Sequence, residues 1–240
     1  MFPNIHSLSK EENRLIEIAQ EKYHIYFDLA NHLATFQSNF LKSNIQKEAN
    51  FFIGFMNQSN TSSLLSLLSI LRHHTIQAKL TMRHSLEASM SACYALDNPD
   101  QEKFYTVNGE ELIFKKKFME KVYDWIKDDY PEQSKIIESD KKVLNGYTHS
   151  NFKTVALNVR EMNNGQILST RFFDNSYDDF LNINMTQLEL FAYSTSVMNM
   201  LDLYEVVISN SDYVDLADNF VKEKTVLASM LRSIPIPNMN

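Results

Sequence analysis

Four glycines and five prolines in 240 residues are too few to punctuate many short strands, so their scarcity points to long helices. A single cysteine, Cys93, excludes a disulfide framework, a CxxC redox pair and a cysteine-built zinc site. No run of about 18 apolar residues occurs, since even residues 51–71 are interrupted by Asn57 to Ser63, and this excludes a membrane-spanning helix. Met1 to Lys10 lack a basic segment and an apolar one, so we expect no secretory leader and a protein that works in the cytoplasm. The glycine-rich phosphate loop, the dinucleotide-binding fingerprint, the zincin helix and the nucleophile elbow are all missing, and we expect no cofactor and no metal. A formal net charge of -7 gives no global footprint for nucleic acid. Lys115, Lys116, Lys117, Lys121 and Lys127 are interleaved with six acids between Glu110 and Tyr130, a mixture that reads as a solvated helix face.

The chain does hold 44% hydrophobic residues, enough to bury a substantial core, and shows neither an internal repeat nor a linker. The expectation is one mainly α domain over residues 1–240, a bundle of long helices ending in the proline-containing tail 234–240. Ser62 to Leu96 is free of breakers and reads as one central helix. At about 100° per residue, Leu64, Leu67, Leu71, Ala78, Met82, Leu86, Cys93 and Leu96 share its core-facing stripe, while Ser66, His73, Gln77, His84 and Ser91 fall on the opposite, polar side. Arg83 and Glu87 lie one turn apart on an otherwise apolar flank, where opposite charges form a charge-assisted hydrogen bond. The pair reads either as a structural tie or as part of a site.

Ser9-Lys10-Glu11-Glu12 matches a capping box ahead of a first long helix to Phe40, and a shorter helix over residues 44–56 precedes a polar loop at Asn57 to Thr61. Asp97-Asn98-Pro99 ends the central helix. Beyond a connector through Asn108-Gly109, helices are expected from Leu112 to Tyr130 and from Glu132 to Leu144. The period then changes to two: Val155, Leu157 and Val159, then Asn163-Asn164-Gly165, then Leu168, Thr170 and Phe172 predict a β-hairpin insertion near residues 153–173. Thr186 to Glu189 is a second capping-box match, opening a helix to Ser209 that is apolar nearly all round. With a last helix at residues 212–232, whose stripe runs through Val214, Ala217, Val221, Ala228 and Leu231, it predicts a homodimer.

His24, Asp28 and His32 recur every four residues, yet the two histidines stand about 12 Å apart along a helix, too far for one ion, and face away from the apolar stripe. We read them as solvated. The polar junction from Asn145 to Asn151 contains His149, which either caps backbone carbonyls or meets Arg83 and Glu87. A histidine held by a carboxylate beside a guanidinium suits general acid-base cleavage of a phosphodiester.

Arg83-His84-Ser85-Leu86-Glu87-Ala88, then Tyr94-Ala95-Leu96, then Gly146-Tyr147-Thr148-His149-Ser150 resemble a group of bacterial all-α proteins with an R-x-x-x-E helix and a later Y-x-H-S turn, HEPN-like in character. The resemblance spans roughly Ser62 to Phe173. It implies a helical, often dimeric protein, either a ribonuclease of toxin and phage-defence systems or an inactive scaffold, with RNA or a cognate protein as partner. If active, the chain would be a metal-independent ribonuclease using Arg83, Glu87, Tyr147 and His149. The HEPN ribonuclease motif itself, an arginine four to six residues before a histidine, has no match; Lys142 before His149 comes nearest. A small-ligand sensor with a pocket between the central helix and the hairpin is a further expectation.

Overall fold

A computed structural model describes residues 4–108, 111–148, 160–161, 167–168 and 179–237. The run from Ser62 to Leu96, expected as one helix, is divided between two: α4 (Asn50–Leu71) and α5 (Thr75–Asp97). No glycine or proline marks the break. His73 adopts a left-handed φ of 58°, its N–H bonds to Ile70 O at 3.0 Å, and the N–H of His74 bonds to Ser69 O at 2.8 Å. These two bonds make a Schellman cap with histidine in the place glycine usually takes. Asn57 to Thr61, expected as a loop, are interior residues of α4.

The division explains why Ser66, His73 and Ser91, on the wheel's polar side, are buried while Gln77 and His84 stay exposed. α4 and α5 fold back on each other, and their serines form the seam: Ser59 Oγ donates to Ser85 O at 3.0 Å and Ser85 Oγ returns a bond to Ser59 O at 2.9 Å. Ser66 Oγ donates to Ala78 O at 2.9 Å. His84 bridges the two helices through Gln58 and Ser62, with its ring nitrogens 3.0 and 2.9 Å from the partner atoms. Small hydroxyls allow close approach and satisfy their own polarity on neighbouring carbonyls.

The first long helix is also interrupted, giving α1 (Ile5–Glu17), α2 (Ala19–Tyr23) and α3 (Ile25–Asn39), with His24 at the second break in a positive-φ conformation. Asn4, rather than Ser9, caps α1, its Oδ1 accepting from Ser7 N at 3.0 Å. Residues expected as connector and helix start form a two-stranded ladder, β1 (Tyr105–Asn108) and β2 (Glu111–Phe114), paired from Tyr105↔Phe114 to Asn108↔Glu111. Lys117 then turns with φ 63° into α6 (Phe118–Asp129), and α7 (Pro131–Thr148) continues past Leu144, so that Asn145 to Thr148 are its last turn rather than a junction. Lys116, Lys117, Lys121 and Lys127 are solvent-exposed as expected, although Lys116 and Lys117 precede the helix.

Within the expected hairpin, β3 (Arg160–Glu161) pairs antiparallel with β4 (Ile167–Leu168), a register centred on Asn164. The rest of that hairpin lies outside the described residues. Two-stranded ladders are thus small additions to a mainly α fold.

α8 (Asp179–Ser209) begins ahead of the expected capping box, and Thr186 is an interior residue whose hydroxyl meets a histidine ring. Its apolarity on several sides is accounted for inside the chain: Leu190, Tyr193, Val197, Leu201, Tyr204 and Ile208 are buried on one face and Met198, Met200, Leu203 and Val207 on others, as α8 packs on α3, α4, α5 and α7. The last helix, α9 (Phe220–Ser233), starts later than expected because residues 211–219 run beside the loop after α3, where Lys42 N bonds to Asp215 O and Ala217 N to Phe40 O. α9 seats Phe220 and Leu227 in the core and leaves Val221 exposed. Among the described residues no helix is long and apolar enough to cross a membrane.

Candidate functional site

Arg83 and Glu87 sit on the middle of α5, whose helical rise brings side chains four apart onto one flank. Arg83 Nε donates to Glu87 Oε1 at 3.1 Å, and the two side chains are 28% and 24% exposed. This is the half-buried ion pair that the wheel predicts. Two residues the sequence did not single out complete the setting. Tyr123, from α6, donates its hydroxyl to the same Oε1 at 3.1 Å. Lys141, from α7, places Nζ 3.4 Å from the centre of the Tyr123 ring, a cation over an aromatic face.

α5 and α6 thus meet at the Glu87 carboxylate, and α7 reaches the same place through Lys141 over the Tyr123 ring. Burial, then the charge of Glu87, pushes the Tyr123 hydroxyl well above its ordinary range, so it stays a hydrogen-bond donor. Burial lowers the Lys141 ammonium from its usual value, while the charge of Glu87 acts in the opposite direction. Two cations, Arg83 and Lys141, thus lie close enough to Glu87 to feel its charge, Arg83 by direct contact. Such a place can hold an anionic group against a fixed guanidinium, since Glu87 limits how Arg83 turns.

Tyr147 lies in the last turn of α7, its backbone about 9 Å along the helix axis from that of Lys141 at 1.5 Å per residue. Its side chain lies outside what the structure describes, and so does His149 altogether. The described residues thus bring together Arg83 and Glu87 of the four expected site residues. Tyr123 carried a faint signal, an aromatic hydroxyl on the apolar flank of α6 beside Val122 and Ile126. Lys141 carried none, because its role depends on how α7 crosses α5.

The other histidines divide by burial. His24 and His32 are exposed, and no group of three His, Cys, Asp or Glu among the described residues is arranged to hold a metal ion. His73, expected on the polar side, is buried between Tyr23 and Thr186, with Tyr23 Oη 3.3 Å from Nε2 and Thr186 Oγ1 3.3 Å from Nδ1. Burial, followed by the positive charge of Lys22, His74 and Arg14, pushes its pKa down to about 4. It is a neutral core histidine with both nitrogens engaged.

Set against protein-family models, curated proteins and solved structures, the chain matches none of them.

Proposed function

We propose that this chain is a HEPN-like helical protein of bacterial defence or stress type, acting in the cytoplasm, that binds RNA at the Arg83–Glu87 seam and cleaves it without a metal. The observation that supports this reading is that Arg83, bonded to Glu87, and Lys141, over the ring of Tyr123, meet where α5, α6 and α7 pack together. Both cations suit a phosphodiester, and Glu87 and Tyr123 hold Arg83 in a defined orientation. In the proposed step His149 takes the proton of a ribose 2′-hydroxyl as its oxygen attacks phosphorus. The bond to the 5′-oxygen breaks, and that oxygen leaves with a proton, Tyr147 standing two residues from His149 as a second proton carrier.

The test is His149→Ala beside Arg83→Lys, assayed for cleavage of single-stranded RNA and for toxicity in cells. His149→Ala is expected to lose cleavage by a factor of 100 or more with the thermal midpoint unchanged. A parent protein that leaves every RNA intact overturns the reading.

The Tyr123–Glu87 hydrogen bond favours a second one, a non-catalytic scaffold in which the cluster ties α6 and α7 to α5. There Tyr123→Phe lowers the midpoint and no variant changes RNA.

The leading reading includes a homodimer. α8 is covered within the protomer, whereas Leu64, Leu65 and Leu80 on the α4–α5 hairpin are each more than two-fifths exposed and offer an apolar face for a second copy. Light scattering at micromolar concentration should then return twice 28.0 kDa, and the single mass rejects the dimer.

A further inference from the structure

A cavity of about 220 Å³ lies between α5, α7 and α8, with the end of α4 behind it. It shares no lining residue with the Arg83 seam. Its walls are mainly carbon, supplied by Ile70, Met82, Leu144 and Phe191, with Val143 exposed at the rim. Three charged side chains reach this apolar space: Lys79, Glu189 and Asp140. Lys79 and Glu189 form an ion pair across α5 and α8, with side chains only 10% and 18% exposed. Asp140, on α7, accepts from Asn199 Nδ2 at 2.9 Å. Burial raises its carboxyl above the ordinary carboxylate range, opposed by bonds from Asn199 and Ser196.

Stability alone does not ask for this arrangement, because a buried ion pair is often no better than apolar packing of the same volume. Apolar walls with a few convergent polar groups are what small-molecule sites present. The signs set the chemistry. Lys79 and Glu189 offset one another, which leaves the described lining residues one negative charge in excess, carried by Asp140 beside walls that are mainly carbon. A cation entering the cavity restores neutrality, and an anion doubles the imbalance.

We propose that this cavity binds a small organic monoamine, its ammonium set against Asp140 and its apolar body against Met82, Leu144 and Phe191. The cavity uses none of the residues assigned to RNA, although it is lined by α5 and α7, the two helices that carry Arg83 and Lys141.

Three probes of one shape test it by titration calorimetry: phenethylamine, 2-phenylethanol and phenylacetate, which differ in the charge of the head group. Phenethylamine is expected to bind at least tenfold more tightly than the alcohol, with phenylacetate weakest. Asp140→Asn, which keeps the acceptor for Asn199, should weaken phenethylamine at least tenfold and leave 2-phenylethanol unchanged. Equal affinity for amine and alcohol in the parent overturns the proposal, as does preference for the carboxylate or no binding by any probe at millimolar concentration. Asp140→Asn with undiminished amine affinity overturns it as well, and the comparison of probes in the parent holds whether or not the variant folds.

Discussion

His73 combines two roles in one residue: it closes α4 in a left-handed conformation and buries a neutral imidazole between Tyr23 and Thr186. Its folded pKa of about 4 lies below the ordinary 6.5 because burial and nearby cations disfavour the charged ring, with Glu11 alone opposing them. Between those values the unfolded chain binds the extra proton, so stability falls as pH drops from 6.5 to about 4 and this contribution changes no further below that. The loss amounts to about 3 kcal/mol. His73→Asn tolerates the positive φ and does not titrate. Denaturant unfolding at pH 7 and pH 4 should therefore show the parent losing about 3 kcal/mol more than this variant; an equal loss in both rejects the assignment. Ser194 gives a second expectation at this scale. Its hydroxyl is buried and has no hydrogen-bond partner among the described residues. Ser194→Ala removes the unmet polar group, and the thermal midpoint should rise by about 2–4 °C, the equivalent of about 1 kcal/mol in a chain of this size.

At the scale of elements, the α4–α5 hairpin depends on the smallness of its seam. Ser59 and Ser85 are fully buried and exchange hydroxyl-to-carbonyl bonds across the two helices. Ser85→Ala keeps the close approach and loses one such bond, at a cost of about 1 kcal/mol. Ser85→Leu forces the helices apart and should cost about 1–3 kcal/mol or more by overpacking. Chemical denaturation midpoints read the difference, and a leucine variant as stable as the alanine one would show that the seam is not close-packed. The same logic applies to α5 against α6, where Trp125 Nε1 donates to Asp97 Oδ2 at 2.9 Å while its ring packs edge-on to Tyr94 at 5.6 Å. That contact and the Tyr123–Glu87 bond hold α6 against α5, and they place Tyr123 where Lys141 meets it.

For the whole molecule, α8 is the central post. Leu201 and Tyr204 on it are fully buried, Tyr204 beside Phe40 and Phe52, so α3, α4 and α8 share one aromatic cluster. Leu201→Ala should destabilise the protein by about 2–5 kcal/mol, as large-to-small changes in close-packed cores do. A loss below about 1 kcal/mol would mean that α8 relaxes around the gap. The chain's end is tied to the same body, since Tyr26 Oη donates to Pro235 O at 2.7 Å and Ile234 is buried.

Local rules carried far at particular places. The shortage of glycine and proline and the apolar periodicity determined a mainly helical fold, Asp97-Asn98-Pro99 determined where α5 stops, and Asn163-Asn164-Gly165 placed the centre of the β3–β4 register. The i,i+4 spacing of Arg83 and Glu87 was enough for their ion pair, because one helix supplies both ends. Tertiary structure decided the rest. The break at His73 leaves no mark in composition, since its left-handed cap is stabilised by burying the ring against Tyr23 and Thr186, fifty residues before it and over a hundred after it. Once α4 and α5 fold together, Ser66 and Ser91 become interior along with the apolar stripe from Leu67 to Leu96, whereas a wheel drawn through both as one helix leaves those serines on its polar side. Tyr123, Lys141 and the Lys79–Glu189–Asp140 cavity likewise exist only because helices distant in the chain pack side by side, and no single segment's periodicity encodes which of its polar side chains a neighbouring helix will meet.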